Sequence, residues 1–108
     1  MSFLDALKGL LSHSGSASTL LKRGIAKAGK EDWHGAVADY TAVIDSSTAP
    51  VDLKAMAYFN RGLAQGQQGQ HEQAECDLRA ILAMADAPVN TKAAAKEKLA
   101  RWEKRSKR

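Results

Sequence analysis

Shifted against itself by 38 residues, the chain matches at a series of mutually consistent places. Arg23-Gly24-Ile25-Ala26 falls on Arg61-Gly62-Leu63-Ala64, Ala36 on Ala74, and Asp39 on Asp77. Ala42-Val43-Ile44 falls on Ala80-Ile81-Leu82, and Ala49-Pro50-Val51-Asp52 on Ala87-Pro88-Val89-Asn90, followed by Lys54-Ala55 on Lys92-Ala93. Alanine is abundant, but alanine bias does not place two composite motifs at one shared offset. A fixed offset is the signature of a structural repeat, in which each unit buries its apolar face against the next.

Each unit reads as two helices. After Asp52 the apolar residues Ala55, Tyr58, Phe59, Gly62 and Leu63 recur at spacings of three and four, the period of one helical face. Gly66-Gln67-Gln68-Gly69 reads as a stop. A second helix then runs through Ala74, Cys76, Leu78, Ile81 and Leu82 to about Ala85. In the first unit the pair is Leu20, Leu21, Gly24, Ile25 and Ala28, then Trp33, Ala36, Val37, Tyr40, Val43 and Ile44. Asp52 and Asn90 read as N-caps after a proline, with Ser14 the equivalent position one period earlier. No stretch reads as a strand. Gly24 and Gly62 sit inside helices, where glycine costs about 1 kcal/mol relative to alanine. Their recurrence points to close approach of two helices, with Ala36 and Ala74 as the facing small surface.

These residues resemble the tetratricopeptide (TPR) family. Tyr58-Phe59-Asn60-Arg61-Gly62-Leu63-Ala64, then Gly69-Gln70-His71-Glu72-Gln73-Ala74, Leu78 and Ile81 look like its pattern, as do Leu20, Gly24, Trp33, Ala36, Tyr40 and Val43. The resemblance covers about residues 16 to 105. It implies an all-α fold: two antiparallel helix hairpins in a right-handed superhelical stack, a C-terminal capping helix and a short N-terminal amphipathic helix. The expected boundaries are 1–13 for the amphipathic helix and 14–105 for the TPR-like domain. Within that domain lie units 14–50 and 52–88 and a capping helix 90–105, and 106–108 form a basic tail. The family period is about 34 residues. The four extra residues here predict a longer second helix or a longer loop before Pro50 and Pro88. Glu31 stands where the family has glycine, so the first inter-helix turn is expected to differ from the second.

The resemblance also implies a protein–protein interaction or scaffold function on a concave face lined by the first helices. Carried over residue by residue, that face presents Leu21, Lys22 and Ile25, then Phe59, Asn60, Leu63 and Gln67, then Lys98 and Arg101. Some family members grip a peptide carboxylate with a clamp of Lys, Asn and Arg. Asn60 matches one clamp position, but Leu21, Ile25 and Ala94 replace others, so that ligand is not implied. A mixed apolar and basic groove fits an extended or helical peptide with apolar anchors.

Charge is unevenly placed. Residues 1–88 carry eight Lys/Arg and ten Asp/Glu, whereas residues 89–108 carry eight Lys/Arg and two Asp/Glu. The alternative function is therefore binding of nucleic acid or another anionic polymer through the basic C-terminal helix. Only Trp102 is near enough in sequence to stack on bases, and no nucleic-acid motif accompanies the charge. An enzyme is not expected. His13, His34 and His71 have no ligand-type spacing, no phosphate loop is present, and no catalytic residue, metal or cofactor is assigned. Cys76, on the apolar stripe, reads as a small core residue.

No apolar run approaches the roughly 20 residues needed to span a bilayer. The single cysteine leans towards a reducing compartment, and the cytoplasm is the default location. Phe3, Leu4, Leu7, Leu10 and Leu11 form an apolar stripe interrupted by Asp5 and Lys8, which fits a helix better than a leader peptide. By the repeat offset this segment could cap the first unit as a partial second helix; a homodimer seam and membrane-surface contact are the alternatives.

Overall fold

The computed structural model describes residues 16–107. Five helices follow one another, and no strand occurs among the described residues. They are α1 (Ser16–Gly29), α2 (Trp33–Asp45), α3 (Val51–Gln67), α4 (His71–Ala83) and α5 (Val89–Ser106). Each helix packs on its sequence neighbours, while α1 also touches α3 and α3 touches α5. The resulting body measures 55 × 30 × 21 Å, an array that grows along one direction by adding helices.

Two short core clusters hold it. Leu21, Ala36, Tyr40 and Val43 of the first hairpin meet Ala57 and Ala64 of α3. Ala55, Leu78 and Ile81 meet Ala95 of α5, with Leu99 and Trp102 packed against them. Helix α3 thus contributes alanines to both clusters, one on each flank. Small side chains let its neighbours approach from both sides, at the cost of the larger transfer energy that leucine would give. Burial pushes the Tyr40 phenol above its ordinary pKa range, and the nearby charge of Asp39 adds to this.

The glycines at the repeat offset lie at close contacts, though not both against alanine. A Cβ on Gly62 would stand 3.2 Å from the Ala74 carbonyl oxygen and 3.2 Å from Leu78 Cδ2. A Cβ on Gly24 would meet the ring of Tyr40 at 2.6 Å, so the facing group there is the aromatic and not Ala36. Tyr40 and Leu78 are themselves equivalent by the repeat.

Several local expectations are corrected. The N-caps of α3 and α5 are Pro50 and Pro88, and Asp52 and Asn90 lie in the first helical turn. A proline there sets the extended backbone that starts the helix without offering a side-chain acceptor. Ser14 and residues 1–13 lie outside the described residues. Cys76 is exposed: the buried face of α4 is Ala74, Asp77, Leu78 and Ile81, and Cys76 falls between its rows. The four extra residues of the repeat do not lengthen α2 or α4, which have 13 residues each. The loops before Pro50 and Pro88 take them up, together with a 17-residue α3.

The first inter-helix turn does not differ from the second in backbone path. Asp32 N donates to the Lys27 carbonyl at 2.9 Å, and Gln70 N to the Gln65 carbonyl at 2.9 Å; Glu31 N reaches Ala28 O and Gly69 N reaches Gly66 O. Both are the paired bonds of a Schellman motif, whose C′ residue is left-handed. Glu31 accordingly has φ +61° and Gly69 φ +79°. Helix packing forces the same turn on a glutamate that would not choose it.

Candidate functional site

A groove of ≈ 860 Å³ runs where the C-terminal halves of α1 and α3 face α5. Ile25, Ala28 and Gly29 form the α1 wall, and Asn60, Leu63, Gly66 and Gln67 form the floor along α3. The α5 wall is Lys98, Trp102 and Arg105, at spacings of four and three on one helical face. Trp33 and Tyr40 of α2 and His71 and Glu75 of α4 also line it. Ile25 and Leu63 are repeat equivalents, and Ile25 is 46% exposed, a large apolar side chain left open to water. A second, smaller cavity of ≈ 210 Å³ lies at the other end of α3, between Met56, Phe59 and Asn60 and the first turns of α5 at Asn90, Thr91 and Ala94. Asn60 lines both.

The structure brings together Ile25, Asn60, Leu63, Gln67 and Lys98 from the sequence-derived set. Leu21 is buried in the first core cluster and offers nothing to a partner. Lys22 is exposed but lines neither cavity. Phe59 packs against the second core cluster and shows itself only in the smaller cavity. Arg101 lies three residues from Lys98 and four from Arg105, yet it lines neither cavity and pairs instead with Glu97 on its own helix. The lining residues Trp33, Tyr40, His71, Glu75, Trp102 and Arg105 were not among the expected contacts. For Trp102 and Arg105 the α5 face itself carried the signal.

Each hairpin is also clasped by a part-buried Arg–Asp ion pair whose carboxylate is buried. Arg23 donates through Nε and Nη2 to the two carboxylate oxygens of Asp39 at 2.9 and 2.7 Å, and Lys27 Nζ lies 3.1 Å from Asp39 Oδ2. Arg61 donates in the same two-pronged way to Asp77, at 2.7 Å twice. The Gln65 amide, turned with its nitrogen inward, donates to Asp77 Oδ2 at 2.9 Å and to the Gln73 carbonyl at 3.3 Å. Gln65 is the repeat equivalent of Lys27. The hydrogen bond from Arg23 holds the Asp39 carboxyl below its ordinary range against the opposing effect of burial, with Lys27 assisting. The hydrogen bond to Asp77 raises the Arg61 guanidinium correspondingly. A carboxylate on a buried face requires such a partner, and an aspartate repeated on the Ala36–Tyr40–Val43 face was the sequence signal for it.

Among the described residues no cluster of three or more His, Cys, Asp and Glu could hold a metal ion, and no helix is long and apolar enough to cross a membrane. His34 and His71 are exposed. Comparison with family models, with curated proteins and with solved structures gives no match.

Proposed function

We propose that the chain is a TPR-like protein-interaction module: a right-handed stack of the α1–α2 and α3–α4 hairpins, closed by α5, that takes up a peptide or protein segment in the groove lined by α1, α3 and α5. The observation that carries this reading is the groove itself. It gathers Ile25 and Leu63 from equivalent positions of the two units with two tryptophans, and sets amides and Lys98 among them. Its volume lies in the range of roughly 300–1,000 Å³ typical of binding sites, which are likewise mostly apolar with a few polar groups for orientation. The TPR assignment is supported by the alternation of long and short helices and by the repetition, at one offset, of glycine contact, ion pair and turn. Binding without catalysis is part of the proposal, because the lining is more apolar than polar and the apolar side chains and two amides offer contact surface.

The basic α5 supports the second reading, an anionic polymer held by exposed lysines and arginines. Two cations of this segment are already engaged, Arg101 with Glu97 within α5 and Lys107, just past its end, with Glu103, which favours the groove. Affinity capture from a native lysate tests the first reading. The full chain is compared with a variant carrying Ile25→Asp and Lys98→Glu, the first at an exposed site and the second at a half-buried one. Partners are expected to be lost; capture of the same set by a folded variant overturns the groove. Nucleic-acid affinity at two salt concentrations tests the second, which requires binding at low salt that falls steeply as salt rises.

A further inference from the structure

The geometry points to the chemistry of the groove's occupant: an amphipathic helix of a partner protein, with two carboxylate side chains seven residues apart and apolar side chains between them. Such an occupant presupposes that the groove is a partner site, and it adds what that partner must present.

The charge balance of the groove sets the first requirement. Its ionised lining residues are Lys98, Arg105 and Glu75. The carboxylate is already matched, because Glu75 Oε2 lies 3.3 Å from Arg79 Nη1 on its own helix. Lys98 and Arg105 make no ion pair or hydrogen bond among the described residues, in contrast to Arg101 and Lys107 of the same segment. Lys98 is also half-buried, where an ammonium without an acceptor is costly. The groove is therefore apolar with one uncompensated basic wall, and an acidic occupant supplies what both cations lack. Lys92, Lys96 and Lys104 lack such partners too, but they line neither cavity and select nothing within it.

Spacing sets the second requirement, the occupant's conformation. Lys98 and Arg105 are seven residues apart on α5, about 10.5 Å along its axis, and Trp102 lies between them on the groove side. An extended strand repeats one face every two residues, about 6.6 Å. Carboxylates on that face fall about 7 or 13 Å apart and miss one of the cations. A helix lying along α5 brings i and i+7 to one side at the required distance, with apolar residues at i+3 and i+4 turned the same way. The groove has room for such a cylinder. Helices α1 and α5 each touch α3 but do not touch one another, which leaves a slot lined by Ile25, Leu63 and Trp102. A second copy of the chain does not qualify as occupant, because no described helix carries two carboxylates seven residues apart.

The probe is a helical peptide without tryptophan, bearing two Glu seven residues apart and Leu at the third and fourth positions after the first Glu. Its ends are acetylated and amidated, so that side chains alone carry its charge. One companion peptide replaces both Glu by Gln; another keeps the composition but moves the Leu pair off that face. Both tryptophans of the chain line the groove, so binding to the full-length protein is followed by their fluorescence. The Glu peptide should bind about tenfold more tightly than the Gln peptide, roughly threefold for each ion pair, and the rearranged peptide should bind no better than the Gln peptide. Lys98→Gln and Arg105→Gln, with helicity checked by circular dichroism, should each weaken the Glu peptide about threefold and leave the Gln peptide unchanged. Equal affinity for the Glu and Gln peptides overturns the proposal. So does unchanged affinity in both cation variants, or a failure of all three peptides to bind. Equal binding of the two acidic peptides sinks it as well, and reduces the basic wall to general attraction for polyanions. The two readings fail separately: if Glu and Gln peptides bind alike and Ile25→Asp abolishes both, the groove stands without its acidic selectivity, whereas peptide binding untouched by Ile25→Asp removes the groove itself.

Discussion

The two hairpins carry the same Arg–Asp clasp in different surroundings. Arg23 has 57% of its side chain exposed and shares Asp39 with Lys27. Arg61 is 19% exposed; it also donates to Thr41 Oγ1 of the preceding hairpin at 3.1 Å and lies 5.6 Å from the Tyr58 ring centroid. The motif that closes a hairpin in the first unit also stitches one unit to the next in the second. In a repeat array stability resides largely in such neighbour interfaces, so equivalent residues should not be energetically equivalent. Arg61→Met leaves Asp77 buried with no cation and removes the stitch, and should cost about 3 kcal/mol in urea unfolding. Arg23→Met should cost clearly less, because Lys27 remains beside Asp39. Equal losses would break the comparison.

The clasp of the first unit also has a pH signature. Asp39 is held below its ordinary value in the folded chain, so the stability it contributes is complete above that value. It is lost as pH falls through the lowered folded one. Stability should therefore decline on acidification below about pH 4, and Asp39→Asn should flatten that slope. Thermal melts of both proteins across this range provide the check; identical slopes would show that Asp39 is not held as described.

The glycines sharpen the contrast next. At Gly24 an added methyl group would penetrate the ring of Tyr40, a side chain with 1% exposure and no room to retreat. Gly24→Ala should destabilise by about 2 kcal/mol, overpacking outweighing the gain in helix propensity. At Gly62 the same group would sit 3.2 Å from its nearest neighbours, so a shift of a few tenths of an ångström suffices. There the helix gain of roughly 1 kcal/mol should nearly cancel the crowding. Melting temperatures that rank these two variants in the opposite order would mean that leucine and tyrosine do not set the inter-helix gap.

Among the described residues, helix number, helix order and most of the apolar faces were legible in the sequence, because burial on a helix imposes a period and the repeat reports it twice. Cys76 shows the limit: it is close enough to the α4 face to be counted on it, and only the helix rotation fixed by Asp77 and Leu78 turns it outward. The groove was half legible. Ile25, Asn60, Leu63, Gln67 and Lys98 follow from which helices face inward, but Leu21 and Arg101 sit three or four residues from groove-lining neighbours, separated from them by rotations of about 40–60° that no spacing rule resolves. The ion pairs were visible as identities and silent as a contact, since nothing in a sequence says that residues sixteen apart meet.

Smallest in effect, and most direct as a test of equivalence, are the two turns, which have exchanged their strengths. The second has glycine at its left-handed position but begins α4 with Gln70, whose side chain makes no capping bond. The first begins α2 with Asp32, whose Oδ1 accepts from Gly35 N at 3.0 Å, yet puts Glu31 in the left-handed region. A side chain there costs roughly 1–2 kcal/mol, partly offset by the chain entropy that glycine adds to the unfolded state. Glu31→Gly should thus stabilise by about 0.5–1 kcal/mol. Gly69→Ala should destabilise by a similar amount, for backbone reasons alone, because nothing lies within 4 Å of the added atom. Gln70→Asp should stabilise by about 0.5–1 kcal/mol, by supplying the acceptor that Asp32 already provides. If the paths are truly the same, Glu31→Gly and Gln70→Asp together should add in denaturant melts, since each turn makes its backbone bonds to its own helix end. A loss of stability from Glu31→Gly would show that its side chain holds the first turn by some contact of its own, and the equivalence of the two turns would fall with it.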